Sequence, residues 1–261
     1  MKPGHDSSCL TVLGSGTCVP SLTRSSCSVL IKTEHNRILL DAGPGTMRRL
    51  LEADTAIFDI GFIFFSHFHP DHTGELVPFL FASKYPVKNS RQDPLTLIAG
   101  KGFLSFFNGL KNVYGEWIEL PPELIRIIEL DNQARDLREF EDFKVESLPV
   151  NHREESLAYR ITDHKGRSAV YSGDTDYSEN LIVLAKNADV LVCESALPDR
   201  SKVAGHLTPS LAGKIATKAA VKNLILTHFY PECDQADIEA ECRKTYRGPL
   251  FLARDLMEFY L

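Results

Sequence analysis

The chain has 261 residues, a formal net charge of −6 and an isoelectric point near 5.9. Its 43% hydrophobic and 25% charged residues suit a globular protein with a sizeable core, and they exclude a disordered or fibrous chain. The charge gives no global positive field to draw a polyanion, although a local basic patch would suffice for one.

The first residues, Met1 to Ser8, lack the apolar stretch of an export signal, and no apolar run reaches membrane-spanning length. With six scattered cysteines and no CxxC pair, a cytoplasmic protein with free thiols and no membrane partner is expected. From there the chain reads as strands punctuated by turns. Cys9 to Leu13 ends at Gly14-Ser15-Gly16-Thr17, and Ser28 to Lys32 with Arg37 to Leu40 forms a hairpin around Glu34-His35-Asn36. Asp41-Ala42-Gly43-Pro44-Gly45 breaks the chain before a short helix, Thr46 to Glu52. Gly61 to Phe65 is an apolar strand, and Glu75 to Ser83 has helical periodicity. Lys84 to Pro94 reads as a polar loop, with Lys84, Lys88 and Arg91 as solvated cations. A strand at Leu95 to Ala99 and a helix at Phe103 to Tyr114 follow, then strands at Ile125 to Leu130 and Phe143 to Pro149 around a charged stretch, Asp131 to Asp142. The second half alternates strands (Ser156 to Ile161, Ser168 to Ser172, Val190 to Glu194, Leu224 to Thr227) with helices (Glu179 to Ala185, Ser210 to Ala219, Gln235 to Tyr246), and Pro249 to Leu252 closes it. Lys214, Lys218 and Lys222 are placed on one helix as solvated surface. Hairpins combined with strand-helix alternation predict two mixed sheets packed together with helices outside, in one domain spanning 1–261.

The strand at Gly61 to Phe65 runs into His67-Phe68-His69-Pro70-Asp71-His72, an HxHxDH hexapeptide. Three imidazoles and a carboxylate in one strand-exit loop cannot all enter an apolar core without a large desolvation cost. They can share one or two metal ions, since neutral imidazole and carboxylate are ordinary ligands of zinc and its neighbours. Three further strands end in a ligand-type residue: His152 after Lys144 to Val150, Asp174 after Ala169 to Gly173, and His228 after Leu224 to Thr227. Taken singly, a strand-end His is more often a hydrogen-bonded surface residue. Joined to the hexapeptide, the set His67, His69, Asp71, His72, His152, Asp174 and His228 suffices for two metal sites sharing a carboxylate. His5, His35 and His164 lie in polar segments away from any motif and receive no role.

Those residues, with Leu13-Gly14-Ser15-Gly16-Thr17, Leu40-Asp41-Ala42-Gly43, Ser172-Gly173-Asp174-Thr175 and Leu226-Thr227-His228-Phe229, resemble the metallo-β-lactamase superfamily over nearly the whole chain. Within it the ribonuclease Z group and related phosphodiesterases match best. The resemblance implies an αββα sandwich with a dinuclear site at one edge. His67, His69 and His152 would bind one metal, Asp71, His72 and His228 the other, and Asp174 would bridge them. Asp at 174, where two-zinc β-lactamases often place Cys, points away from antibiotic hydrolysis. Leu191 to Ala196, followed by Gly205-His206-Leu207-Thr208-Pro209, resembles the Glu-His pair of ribonuclease Z-like enzymes. Glu194 would hold His206 as general acid; a helix-flanking surface His, with Thr208 as N-cap, is the plainer reading.

The resemblance implies two divalent cations, Zn²⁺ with Mn²⁺ or Fe²⁺ as alternatives, that activate water against a phosphodiester, with Asp71 also accepting a proton. One departure bears on the substrate. Ribonuclease Z enzymes that process transfer RNA carry an extended arm between the counterparts of His152 and Asp174, which here lie only 22 positions apart. A phosphodiesterase acting on a small or single-stranded phosphodiester, cyclic nucleotides included, is therefore expected. A transfer-RNA 3′ endonuclease without the arm and a thioester or lactone hydrolase are the alternatives. The family's tendency to dimerise makes Val77-Pro78-Phe79-Leu80-Phe81 a candidate homodimer surface, although core packing explains it equally well.

Overall fold

A computed structural model describes residues 8–85 and 90–261; His5 and Lys88 lie outside them. The first half of the chain supplies one seven-stranded sheet: β1 (Cys9–Gly14), β2 (Ser28–Lys32), β3 (Arg37–Leu40), β4 (Phe62–Phe64), β5 (Leu95–Gly100) and β6 (Ile125–Leu130), with β14 (Met257–Tyr260) added at the far end. Its order is β14-β1-β2-β3-β4-β5-β6. The second sheet holds β7 (Asp136–Glu139), β8 (Phe143–Pro149), β9 (Leu157–Asp163), β10 (Ser168–Tyr171), β11 (Val190–Glu194), β12 (Leu224–Thr227) and β13 (Leu250–Leu252), in the order β13-β12-β11-β10-β9-β8-β7.

Strand periodicity explains the layering. In the first sheet Val29, Ile31, Ile38, Leu40, Phe64 and Ile98 face the second sheet, where they meet Tyr159, Ile161 and Tyr171. Their neighbours Leu30, Leu39, Ile63 and Leu97 face the other way. There they are covered by α1 (Thr46–Glu52), α3 (Leu76–Lys84) and α4 (Phe103–Tyr114), through Leu50, Phe79, Leu80, Phe103 and Phe107. The second sheet is covered by α5 (Glu179–Leu184), α6 (Pro209–Ala219) and α7 (Ile238–Arg243), through Leu181, Ile215, Ala216 and Cys242. The result is helix, sheet, sheet, helix, as the sequence predicts.

Several expectations need correction. The charged stretch 131–142 contains β7, an edge strand of the second sheet, where exposed charge discourages further pairing. Pro249 to Leu252 does not close the fold: β14 returns to β1 in the other sheet, antiparallel, with Met257 opposite Val12. The helix expected over Gln235 to Tyr246 is reduced to α7, because Asp237 caps its start by accepting from Ala240 N at 2.9 Å and a 3-10 turn occupies Pro231–Gln235. Lys222 lies beyond α6, paired with Asp189 at 2.6 Å. Arg91 is buried rather than solvated: its guanidinium donates to the carbonyls of Ile57 and Ile60 and lies over the Phe79 ring.

Candidate metal centre

Every residue of the hexapeptide is placed by a strand end or a tight turn. β4 delivers His67 into the gap between the sheets, and Leu157 N donates to Ser66 O at 2.9 Å, which fixes that exit against β9. Pro70 then starts a one-turn helix, α2 (Pro70–Thr73), locked by Thr73 Oγ1 donating to His69 O at 3.0 Å. That turn carries Asp71 and His72 back toward His67. Asp174 arrives from β10 through Gly173, whose φ of +55° suits glycine and where a Cβ would stand 2.5 Å from Ser66 Cβ. His152 follows β8. His228 follows β12 with a φ of +60°, a left-handed conformation that a His adopts at a cost.

These elements bring all seven candidate side chains together. One atom each from His67, His69, His152 and Asp174 lies within 4.8 Å of the others, and Asp71, His72 and His228 form a second group by the same measure. Asp174 Oδ1 stands 3.3 Å from both His72 Nε2 and His228 Nε2, while Asp174 Oδ2 stands 3.8 Å from His67 Nε2. The Asp174 carboxylate thus lies between the two groups. His67 Nε2, His72 Nε2, His228 Nε2 and Asp174 Oδ1 are buried without a hydrogen-bond partner. So many orphaned polar atoms turned toward one point would be costly unless something binds there. Imidazole nitrogens and carboxylate oxygens are the donors that divalent zinc, manganese or iron accepts.

The electrostatics of His67, His152 and Asp174 point the same way. Burial drives the His67 imidazole well below the ordinary histidine range, assisted by the neighbouring His72, so it presents a neutral ring. Burial also lowers His152. Burial opposes ionisation of Asp174, yet the surrounding imidazoles of His228, His72 and His67 hold its carboxyl well below the carboxylate range.

Asp41 is a site residue to which the sequence reading assigned no role. Fully buried at the end of β3, it accepts hydrogen bonds from Ser66 N, Ser66 Oγ and Tyr171 OH, each at 2.7 Å, and its Oδ2 also lies 2.7 Å from His72 Nδ1. It fixes the His72 ring and leaves Nε2 free to face Asp174. The signal was present in the strand-end Asp41-Ala42-Gly43, the same pattern that singled out Asp174.

The Glu194-His206 pair stands beside this centre. Glu194, buried at the end of β11, accepts from Thr175 N at 2.9 Å and Ala196 N at 3.1 Å, and its Oε1 lies 3.0 Å from His206 Nδ1. His206 Nδ1 is 3.9 Å from Asp174 Oδ2, and its ring stacks on His228 at 5.6 Å between centroids. Burial resists charging of His206, but the hydrogen bond to Glu194 and the negative charge there outweigh it and raise its pKa. Thr208 occupies the N-cap position of α6 without a side-chain capping bond; Ser210 N is instead satisfied by Asp199 at 3.1 Å.

A two-sheet sandwich with a His/Asp cluster at the strand ends defines a class, and comparison with known proteins agrees with it. The family model of the β-lactamase superfamily domain matches residues 36–229, and the chain belongs to that family. Among curated relatives, the ribonuclease Z of Gemmatimonas aurantiaca is 26% identical over 305 aligned positions, covering 95% of this chain and 94% of the relative. That of Clostridium acetobutylicum is 28% identical, covering 87% and 90%. Among solved structures, human tRNase Z, short form, superposes with a TM-score of 0.76 at 26% identity, covering 96% of this chain and 98% of that one. The metallo-β-lactamase fold protein YhfI from Bacillus subtilis superposes at 0.85 with 22% identity, covering 98% and 100%, a likeness of fold. The alignment to the Gemmatimonas relative spans more positions than the 261 residues of this chain, so that relative carries segments absent here.

Proposed function

We propose that the protein is a metal-dependent hydrolase that cleaves phosphodiester bonds in a small or single-stranded substrate. One observation carries the reading: a carboxylate that lies between two groups of imidazoles, with His67 Nε2, His72 Nε2 and His228 Nε2 buried and partnerless, and an oriented Glu-His pair beside it. His67, His69 and His152 would hold one divalent cation, Asp71, His72 and His228 a second, and Asp174 both. When bound, the cations supply Lewis acidity toward a phosphoryl oxygen and activate water near neutral pH. The chain's own groups do the rest. Asp71, buried next to His228, would accept a proton from the attacking water. His206, whose Nδ1 faces Glu194, presents its other nitrogen as proton donor to the departing oxygen. Because both sheets contribute ligands, residues 1–261 act as one catalytic domain.

The short link between His152 and Asp174 favours a compact substrate. It is filled by β9 and β10 and the turn at 164–167, with no room for an arm. The name shared by the curated relatives favours the second reading, a transfer-RNA 3′ endonuclease that works without the arm. A homodimer fits either; of the candidate surface, Phe79 and Leu80 are buried in the core, while Phe81 is exposed beside Tyr85 and Trp117.

Metal-loaded protein should be assayed on 2′,3′- and 3′,5′-cyclic nucleotides, bis-nitrophenyl phosphate, a thioester and a precursor transfer RNA. Turnover of the small phosphodiesters is the expected result; cleavage of the RNA at its discriminator base, with the small substrates inert, would replace it with the second reading. Within the first reading, His206→Ala should lower kcat on a poor leaving group by about 10²-fold or more. The same change should barely touch the nitrophenyl ester, whose leaving group needs no proton. Equal losses on both would remove the general-acid role.

A further inference from the structure

We infer that Asp176, a residue outside the metal and proton-transfer groups, is a positioning residue that sets the loop carrying His206; the inference rests on the reading of His206 as proton donor. Asp176 Oδ2 accepts from Gly205 N at 3.0 Å and from Lys202 Nζ at 2.8 Å, so it grips the loop immediately before His206. Its own backbone is equally fixed: Asp176 N donates to Asn151 O at 2.8 Å, and its Oδ1 accepts from Tyr177 N at 2.7 Å. The preceding residue, Thr175, donates its N–H to Glu194 and accepts from Asn151 N at 3.1 Å.

Gly205 is the point where these constraints meet. Its N–H is held by Asp176, and its carbonyl oxygen lies 2.9 Å from His152 Nδ1, the ring whose Nε2 faces the cluster. Its φ is +85°, and a Cβ there would stand 3.1 Å from His152 Nδ1, so glycine is required for this double contact. One residue thus ties a candidate metal ligand to the loop of the candidate proton donor, and Asp176 holds that residue from behind. The segment Asp174-Thr175-Asp176 accordingly reaches three parts of the site: the ion cluster through Asp174, Glu194 through the Thr175 amide, and Gly205 through the Asp176 carboxylate. A group held within about half an ångström of its working position transfers a proton far better than one on a loose loop.

The experiment compares wild type, Asp176→Ala and Asp176→Asn, each at saturating metal, on bis-nitrophenyl phosphate and on a dinucleotide with a ribose hydroxyl leaving group. It also follows the rate at which a chelator strips metal from each protein. Asp176→Ala should lose about tenfold or more in kcat on the dinucleotide and less than about threefold on the nitrophenyl ester. Its metal should leave about tenfold faster, because His152 loses its fixed backbone partner. Asp176→Asn keeps an oxygen for the Gly205 N–H and should recover most of both effects. Equal losses on the two substrates, or an Asn variant no better than Ala, overturn the inference. If His206→Ala itself shows no leaving-group dependence, the general-acid reading fails instead, and an unchanged metal-release rate in Asp176→Ala would still overturn the Asp176 assignment.

Discussion

Glu194 is completely buried, where a carboxylate is tolerated because two backbone amides and an imidazole satisfy it. Its charge holds His206 protonated above the ordinary histidine range, against the pull of burial. The sign for catalysis follows. If protonated His206 is the proton donor, activity on poor leaving groups falls as pH rises through its raised pKa. Glu194→Gln removes the charge that raises it, so the basic limb of the pH–rate profile should move to lower pH; a limb that stays in place would separate Glu194 from the titration. Asp41 shows what a single sequence conceals. Asp41 and Asp174 both end apolar strands, yet one lies at the centre of the cluster and the other lies behind His72. Only the fold decides which side of an imidazole a carboxylate occupies. The cysteines are free, as composition suggests, and burial raises those at 27, 193, 233 and 242, which makes them poor nucleophiles.

At the scale of elements, the strands with continuous apolar runs were legible, as were the edges β6 and β13, whereas the edges β7 and β14 were not. β4, β5, β11 and β12 are nearly or wholly buried, so their sequences carry an uninterrupted signal. β7 and β14 bury none of their four residues fully, which leaves too little periodicity to stand out from loops. The turn before β14 also holds a tether that no motif announces. Asp255 accepts from Ser15 N at 2.9 Å, Ser15 Oγ at 2.8 Å and Ser25 N at 2.7 Å, and pairs with Arg49 at 2.9 Å. Its side chain is 5% exposed and that of Arg49 19%. Asp255→Ala leaves the Ser15 and Ser25 amides without their acceptor and removes one of the two carboxylates that pair with Arg49, the other being Glu52 at 2.6 Å, at a cost of roughly 3 kcal/mol. Thermal unfolding of the variant should therefore start several degrees lower; an unchanged midpoint would mean that water replaces the carboxylate.

Over the whole molecule, the charge concentrated at the meeting of the two sheets dominates. Asp41 and the hexapeptide come from the first sheet, whereas His152, Asp174, Glu194 and His228 come from the second. The fold class and the seven residues that cluster were legible because the hexapeptide stands out as a motif and His152, Asp174 and His228 each follow an apolar strand. Their division between sheets was not, since pairing order is set by contacts distant in sequence. A cation bound there stabilises the folded state by mass action, by about 4 kcal/mol at a thousandfold excess over its dissociation constant. Chelation should therefore lower the midpoint of thermal unfolding, and restored Zn²⁺, Mn²⁺ or Fe²⁺ should recover it in order of affinity. A midpoint indifferent to chelator would argue against a bound ion.

The same division has a kinetic consequence. Residues 67 and 228 become neighbours only once both sheets have formed and docked, so no early, local piece of the chain offers the complete set of seven side chains. If tight binding needs the complete set, capture follows docking of the sheets and release precedes their separation. Added metal should slow the unfolding limb of a chevron and leave the refolding limb almost unmoved, as for any contact absent from the transition state. A nascent chain would remain inert toward the phosphodiesters around it until its final strands had been made.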